Sequence, residues 1–104
     1  MTLRDFNRLF KKNVARQADI LLRKGHDYRG DVDALGNFKA AAFRLGLTPI
    51  QIWAVYFGKH VSAVERFCSH GKVESEPIES RIDDCINYLH LLAALIKDLR
   101  KKRR

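Results

Sequence analysis

The chain contains no uninterrupted apolar run of the roughly 18 residues that a membrane span requires. Its first residues, MTLRDFNRLFKK, are amphipathic and charged, and lack the continuous apolar core of a secretory leader. Only two cysteines are present, Cys68 and Cys85, and they are not close enough in sequence to form a recognisable pairing or metal motif. The expectation is a reduced, cytoplasmic setting in which both thiols serve as small core residues. Prolines are equally scarce, and both fall where a helix would begin, at Pro49 and Pro77.

Several chemical signatures are missing as well. There is no Gly-rich loop ending in Gly-Lys-Ser/Thr, no dinucleotide-binding glycine motif and no His-x-x-x-His pair. No Ser or Cys sits beside a base at a spacing that reads as a nucleophile, and Cys68 with His70 does not make a zinc set. No segment alternates with period two over the length of a strand, and no hairpin turn appears. These absences exclude an obvious nucleotide triphosphatase loop, a dehydrogenase fold and a β-sheet domain.

What is present is helical periodicity. The 104 residues, 46% hydrophobic and 31% charged, suit one globular domain. Leu3, Phe6, Phe10, Val14, Ala18 and Leu21 predict a first helix over residues 3–24, capped by Thr2 with Asp5 three positions on and stopped by Gly25. The segment Gly25 to Asp33 reads as a polar loop. Ala34 to Leu45 predicts a short second helix ended by Gly46. The third helix has the strongest start signal: Thr48 as cap, Pro49 in the first position, Gln51 completing a capping box, and Gly71 as the stop. Ser75 or Glu76 would cap a long fourth helix, with Ile78, Ile82, Cys85, Leu89, Leu92, Ile96 and Leu99 as its apolar seam. The expected fold is all-α, a compact four-helix up-and-down bundle over residues 1–99. The fourth helix carries more apolar surface than one neighbour needs, which predicts a homo-oligomer formed through it.

The net charge is +8, and five of the positive charges lie in residues 100–104, leaving +3 for residues 1–99. This basic tail is either a solvated helix end or a non-specific contact for nucleic acid.

Polar residues interrupt the fourth helix in a pattern. Glu76, Glu79, Asp83, Asn87 and His90 share one face, with Asp84 and Tyr88 on the neighbouring strip. Carboxylates at these spacings can present oxygens to a hard cation such as Mg²⁺. Acids in a first turn also simply suit a helix N-terminus, which is the plainer reading of Glu76 and Glu79. Asp84, Asn87 and His90 lie between apolar residues, where a polar group needs a partner. In the loop, Asp27, Tyr28 and Arg29 could bond to or stack on a base, and Gly30 allows a close backbone approach. On the third helix, Lys59 and Arg66 share a face that would suit phosphate, with His60 beside them.

These residues resemble a known family. The pattern Lys24-x-x-Asp27-Tyr28-x-Gly30, then Lys59 on a helix, then Glu76-x-Ile78-Glu79 and Asp84-x-x-Asn87-Tyr88, is similar to a small phage and bacterial family of nucleotide-modification-associated domains. That family looks like the MazG-type all-α nucleotide pyrophosphohydrolases. The likeness covers about residues 20 to 92. It implies a nucleotide site between helices with acidic residues of the last helix at it. MazG-type enzymes hold Mg²⁺ with paired carboxylates on two successive helices. This chain departs from that pattern: its third helix offers only Glu65, with Lys59 and Arg66 in place of carboxylates. Hydrolysis needs an activated water as well as charge neutralisation at phosphate, and cations supply only the second.

The leading expectation is therefore a phage- or prophage-type protein that binds a phosphorylated nucleotide without a cofactor. It would sequester a signalling nucleotide, such as a cyclic oligonucleotide or an ADP-ribose derivative, as an anti-defence sponge. Asp27, Tyr28, Arg29, Lys59, His60, Arg66, Asp84, Asn87 and Tyr88 would form the site. Two alternatives stand beside it. One is a Mg²⁺-dependent pyrophosphohydrolase with Glu76, Glu79, Asp83 and Asp84 at the metal. The other is a helical module that binds nucleic acid through the basic tail.

Overall fold

The computed structural model describes residues 1–29, 33–72 and 76–102, with residues 25–29 described by their backbone. Four helices follow in order: α1 (Leu3–Arg29), α2 (Gly36–Leu45), α3 (Pro49–His70) and α4 (Ile78–Lys102). They form a compact all-α bundle, and no strand occurs among the described residues. The pair α3 and α4 packs most extensively, α2 lies on α3, and α1 touches α4 and α2.

Local chemistry accounts for most of the helix ends. Thr48 Oγ1 accepts from the Gln51 amide at 3.1 Å while Gln51 Oε1 accepts from the Thr48 amide at 2.9 Å, so the capping box is complete. Gly46 and Gly71 adopt φ of 68° and 76°, the left-handed conformation that turns the chain out of a helix and that glycine reaches without steric cost. Thr2 Oγ1 accepts from the Asp5 amide at 3.1 Å, as the first cap requires.

Three helices differ from the sequence expectation at one or both ends. Helix α1 continues through Gly25 to Arg29. A glycine costs a helix interior only about 1 kcal/mol and ends it only where the backbone turns left-handed. Asp27, Tyr28 and Arg29 thus have helical backbone rather than loop backbone, and Gly30 lies outside the described residues. Helix α2 begins at Gly36, two residues late, because Asp33 organises the turn before it. Asp33 Oδ1 accepts from the Leu35 amide at 2.9 Å, and the Asp33 carbonyl accepts from the Gly36 amide at 3.1 Å. Helix α4 begins at Ile78, after Pro77, and runs on through Lys102, so Arg100, Lys101 and Lys102 form its last turn. Ser75, Arg103 and Arg104 lie outside the described residues.

The core joins Leu35, Phe38, Ala41 and Ala42 of the α2 region to Ile52 and Trp53 of α3 and Leu95 of α4. Trp53 stacks on Phe57 with ring centroids 4.6 Å apart, and its indole N–H donates to the Tyr88 carbonyl at 2.6 Å. Lys39 bridges Asp33 at 2.8 Å and Asp98 of α4 at 3.1 Å, tying α2 to α4.

Two predicted apolar faces point outward. On α1, Leu3, Phe6, Phe10 and Val14 are exposed, with Phe6 at 53% and Phe10 at 58%. On α4, Ile82, Leu89 and Leu99 are exposed, while Asp83, Asn87 and Leu95 are the buried positions. The inward stripe of α4 is rotated from the apolar seam and carries two polar side chains. Cys68 is exposed rather than core, Cys85 is half-buried, and both are free.

Candidate functional site

The polar stripe of α4 divides between two jobs. Asp83, only 3% exposed, faces α1. Arg16 donates to it twice, Nε to Oδ2 at 2.9 Å and Nη2 to Oδ1 at 3.0 Å. Gln17 Nε2 adds a third bond to Oδ1 at 3.0 Å. The Arg16 guanidinium holds the Asp83 carboxyl below the usual carboxylate range, with burial opposing and Gln17 assisting. One turn on, Asn87 Nδ2 donates to the Gln17 carbonyl at 3.1 Å. This buried set of bonds fixes α1 against α4.

The adjacent strip of α4 opens onto a cleft of about 510 Å³ shared by all four helices. Helix α1 contributes Lys24, with Ile20 and Leu21 below it; α2 contributes Asn37, Phe38 and Arg44. Helix α3 contributes Tyr56 and His60, and α4 contributes Asp84, Asn87 and Tyr88. The lining is graded by depth. Phe38 and Asn87 are buried, Tyr88, His60 and Asp84 are half-buried, and Lys24, Arg44 and Tyr56 are exposed at the mouth.

The aromatic rings form a continuous wall. Tyr88 lies between His60, with centroids 4.7 Å apart, and Phe38, which meets it edge-on at 6.3 Å. Tyr56 extends the wall outward, 6.4 Å from Phe38. Burial lowers the pKa of His60 below its ordinary value, and the opposing pull of Asp84 is smaller, so the ring is neutral at pH 7. Its Nδ1 is buried 3.6 Å from Asp84 Oδ2, beyond hydrogen-bond reach, and has no other partner. Asn87 Oδ1 is likewise buried without a partner.

Four of the sequence-predicted residues therefore meet in one cleft: His60, Asp84, Asn87 and Tyr88. Lys59 and Arg66 do not line it. Both are exposed, and Lys59 Nζ sits 6.0 Å over the Tyr56 ring instead. The side chains of Asp27, Tyr28 and Arg29 lie outside the described residues. Among the described residues, the cations that line the cleft are Lys24 and Arg44, both exposed. Lys24 was one of the residues quoted for the sequence resemblance; Arg44, in the last turn of α2, carried no sequence signal, and neither did Asn37.

The proposed Mg²⁺ set does not assemble. Both Asp83 oxygens are taken by Arg16 and Gln17. Glu76 and Glu79 are exposed outside the cleft, with Glu76 Oε2 3.9 Å from Arg81 Nε. Asp84 is the only one of the four that lines it. Among the described residues, no three His, Cys, Asp or Glu side chains converge as a metal site. Among those residues too, no helix is long and apolar enough to cross a membrane.

What the fold and the site define together is a small four-helix protein with an amphipathic cleft, aromatic within and cationic at the mouth. Comparison with protein-family models, with curated proteins and with solved structures gave no match. Of the residues quoted above for the sequence resemblance, Lys24, Asp84, Asn87 and Tyr88 line the cleft.

Proposed function

We propose that this chain binds a phosphorylated nucleotide in the four-helix cleft and does not transform it. The observation that carries this reading is the grading of the cleft. Lys24 and Arg44 stand exposed at the mouth, and Phe38, His60 and Tyr88 form a ring-lined interior. Phosphate keeps much of its hydration beside exposed cations, and an Arg fork can hold two of its oxygens. A base stacks on aromatic side chains, which offer a π face to any ring. A volume near 510 Å³ suits a ligand of mononucleotide or ADP-ribose size.

In a phage- or prophage-type setting such binding would sequester a signalling nucleotide, as an anti-defence protein does. Two free cysteines fit a reduced, cytoplasmic compartment. The exposed Ile82 and Leu89 of α4, together with Phe6 and Phe10 of α1, fit a homo-oligomer. The scattered carboxylates give the pyrophosphohydrolase reading no support, and the nucleic-acid reading rests on exposed cations alone, in the last turn of α4 and at Arg4, Arg8 and Lys11 of α1.

Titration calorimetry against nucleoside mono-, di- and triphosphates, cyclic dinucleotides and ADP-ribose tests the reading. Saturable binding is expected for at least one of them, weakened roughly tenfold or more by Arg44→Glu. Absence of heat with the whole panel, or release of pyrophosphate in the presence of Mg²⁺, overturns it.

A further inference from the structure

We propose that α4 is the dimer helix of this protein, its outer stripe packing antiparallel on the same stripe of a second copy. This rests on the homo-oligomer reading above and supplies its surface, its sense and its register.

Two sides of α4 are already committed. Asp83 and Asn87 bond to α1, and Tyr88 and Leu95 pack in the core with Trp53. The third side is apolar and open. Ile82, Ile86, Leu89, Ala93 and Ile96 follow one another at intervals of four, three, four and three residues. That spacing keeps one stripe of a helix facing a partner helix. Ile82 is 43% and Leu89 50% exposed, Ala93 is exposed, and Ile86 and Ile96 are half-buried. Asp84 and Leu91, which line the cleft, lie on the opposite side of the helix. A partner on the stripe therefore leaves the cleft open.

Charge identifies the partner. One flank of the stripe carries Glu79 near its start and Lys97 near its end, about five turns apart and both exposed. A polyanion gains little from a flank that holds both signs. A second copy of the same flank, run in the opposite direction, matches it.

The register follows from the same residues. A two-fold axis crossing α4 between Asn87 and Tyr88 sets each flank against its own copy. Glu79 then stands within about 2 Å in height of Lys97 of the second copy, and symmetry makes the pair twice. The same axis puts Ile86 beside Leu89 of the second copy. It also puts Ile82 beside the small Ala93, so a large side chain meets room instead of another large one. Parallel pairing would turn the charged flank toward the other flank of the partner. There Lys97 meets apolar Leu92 and Leu99 and no acid.

Disulfide trapping and sedimentation equilibrium test it on the full chain. In a Cys68→Ser/Cys85→Ser background, Ile82→Cys and Ala93→Cys proteins are oxidised mildly, alone and mixed. The mixture is expected to trap a covalent dimer, since the two positions are adjacent across the seam. Each variant alone is expected to stay untrapped, since its two copies lie about 16 Å apart, beyond disulfide reach. Lys97→Glu replaces two attractions with two repulsions and should raise the dimer dissociation constant roughly tenfold. Glu79→Lys combined with Lys97→Glu should bring it back close to the parent value. Circular dichroism confirms the fold of each variant. A dimer that traps either cysteine variant with itself, or traps nothing from the mixture, overturns the proposal and leaves self-association standing. So does a dissociation constant that Lys97→Glu leaves unchanged. A monomer at every concentration removes the homo-oligomer reading beneath it as well.

Discussion

Replacing Asp83 with alanine would remove the acceptor on which three hydrogen bonds converge. The side chain of Asp83 is almost wholly buried, and so is Gln17, whose Nε2 would lose its partner. A buried amide left unsatisfied costs about 1–3 kcal/mol. Breaking a fully buried ion pair costs about 3–5 kcal/mol, but Arg16 is 39% exposed and can turn back to water. We therefore expect a loss of about 2–3 kcal/mol, a large part of the roughly 5–15 kcal/mol that holds such a domain together. That corresponds to a fall in Tm of roughly 10 °C or more for a chain of this size. Urea unfolding followed by far-UV circular dichroism at pH 7 measures the change. Combining Asp83→Leu with Gln17→Leu should recover part of the loss, because two apolar side chains leave no unsatisfied amide behind. The dependence on acid follows from the same contacts. Arg16 lowers the folded pKa of Asp83, so its stabilisation is complete above the ordinary carboxylate range and disappears as pH falls through the lowered value. An Asp83→Ala protein within about 0.5 kcal/mol of the parent would refute the clamp between α1 and α4.

Other outcomes follow from single side chains. Burial keeps the folded His60 below its ordinary pKa, so the unfolded chain takes up a proton first and stability should fall as pH drops below about 6.5; a proton NMR titration with its His60 midpoint at or above that value contradicts this. Cys68 is exposed, whereas burial raises the pKa of half-buried Cys85, so a thiol reagent should label Cys68 well before Cys85; equal rates by mass spectrometry argue against the placement. If the exposed faces of α1 and α4 support self-association, light scattering should give a mass above the 12.0 kDa monomer, reduced by Phe10→Glu or Leu89→Glu. A monomer at all concentrations removes that part of the proposal.

What could be read from the sequence is what local chemistry determines. The ends of α3 follow from Thr48, Pro49, Gln51 and Gly71, all within a turn of the boundary they set. Gly25 misled because a glycine stop depends on the backbone that follows, not on the residue alone. The apolar spacing of α1 is real, yet it did not reveal that Phe6 and Phe10, stacked on each other with centroids 6.5 Å apart, stay exposed. The rotation of α4 was hidden for a related reason. Asp83 and Asn87 can occupy the inward stripe only because Arg16 and Gln17, distant in sequence, meet them there. Asp84, Asn87 and Tyr88 stood out as polar residues set in an apolar helix, and they do line the cleft. Arg44 and Asn37 came from tertiary packing of α2, which periodicity does not encode.

The central claim is that the cleft holds a phosphorylated nucleotide. Native mass spectrometry of the purified protein, mixed with the nucleotide panel, tests it most directly. One nucleotide retained per chain, with the adduct lost in Arg44→Glu, is the result expected from the cations and rings of the cleft. No adduct from any nucleotide, or equal adducts on the parent and Arg44→Glu proteins, would contradict it.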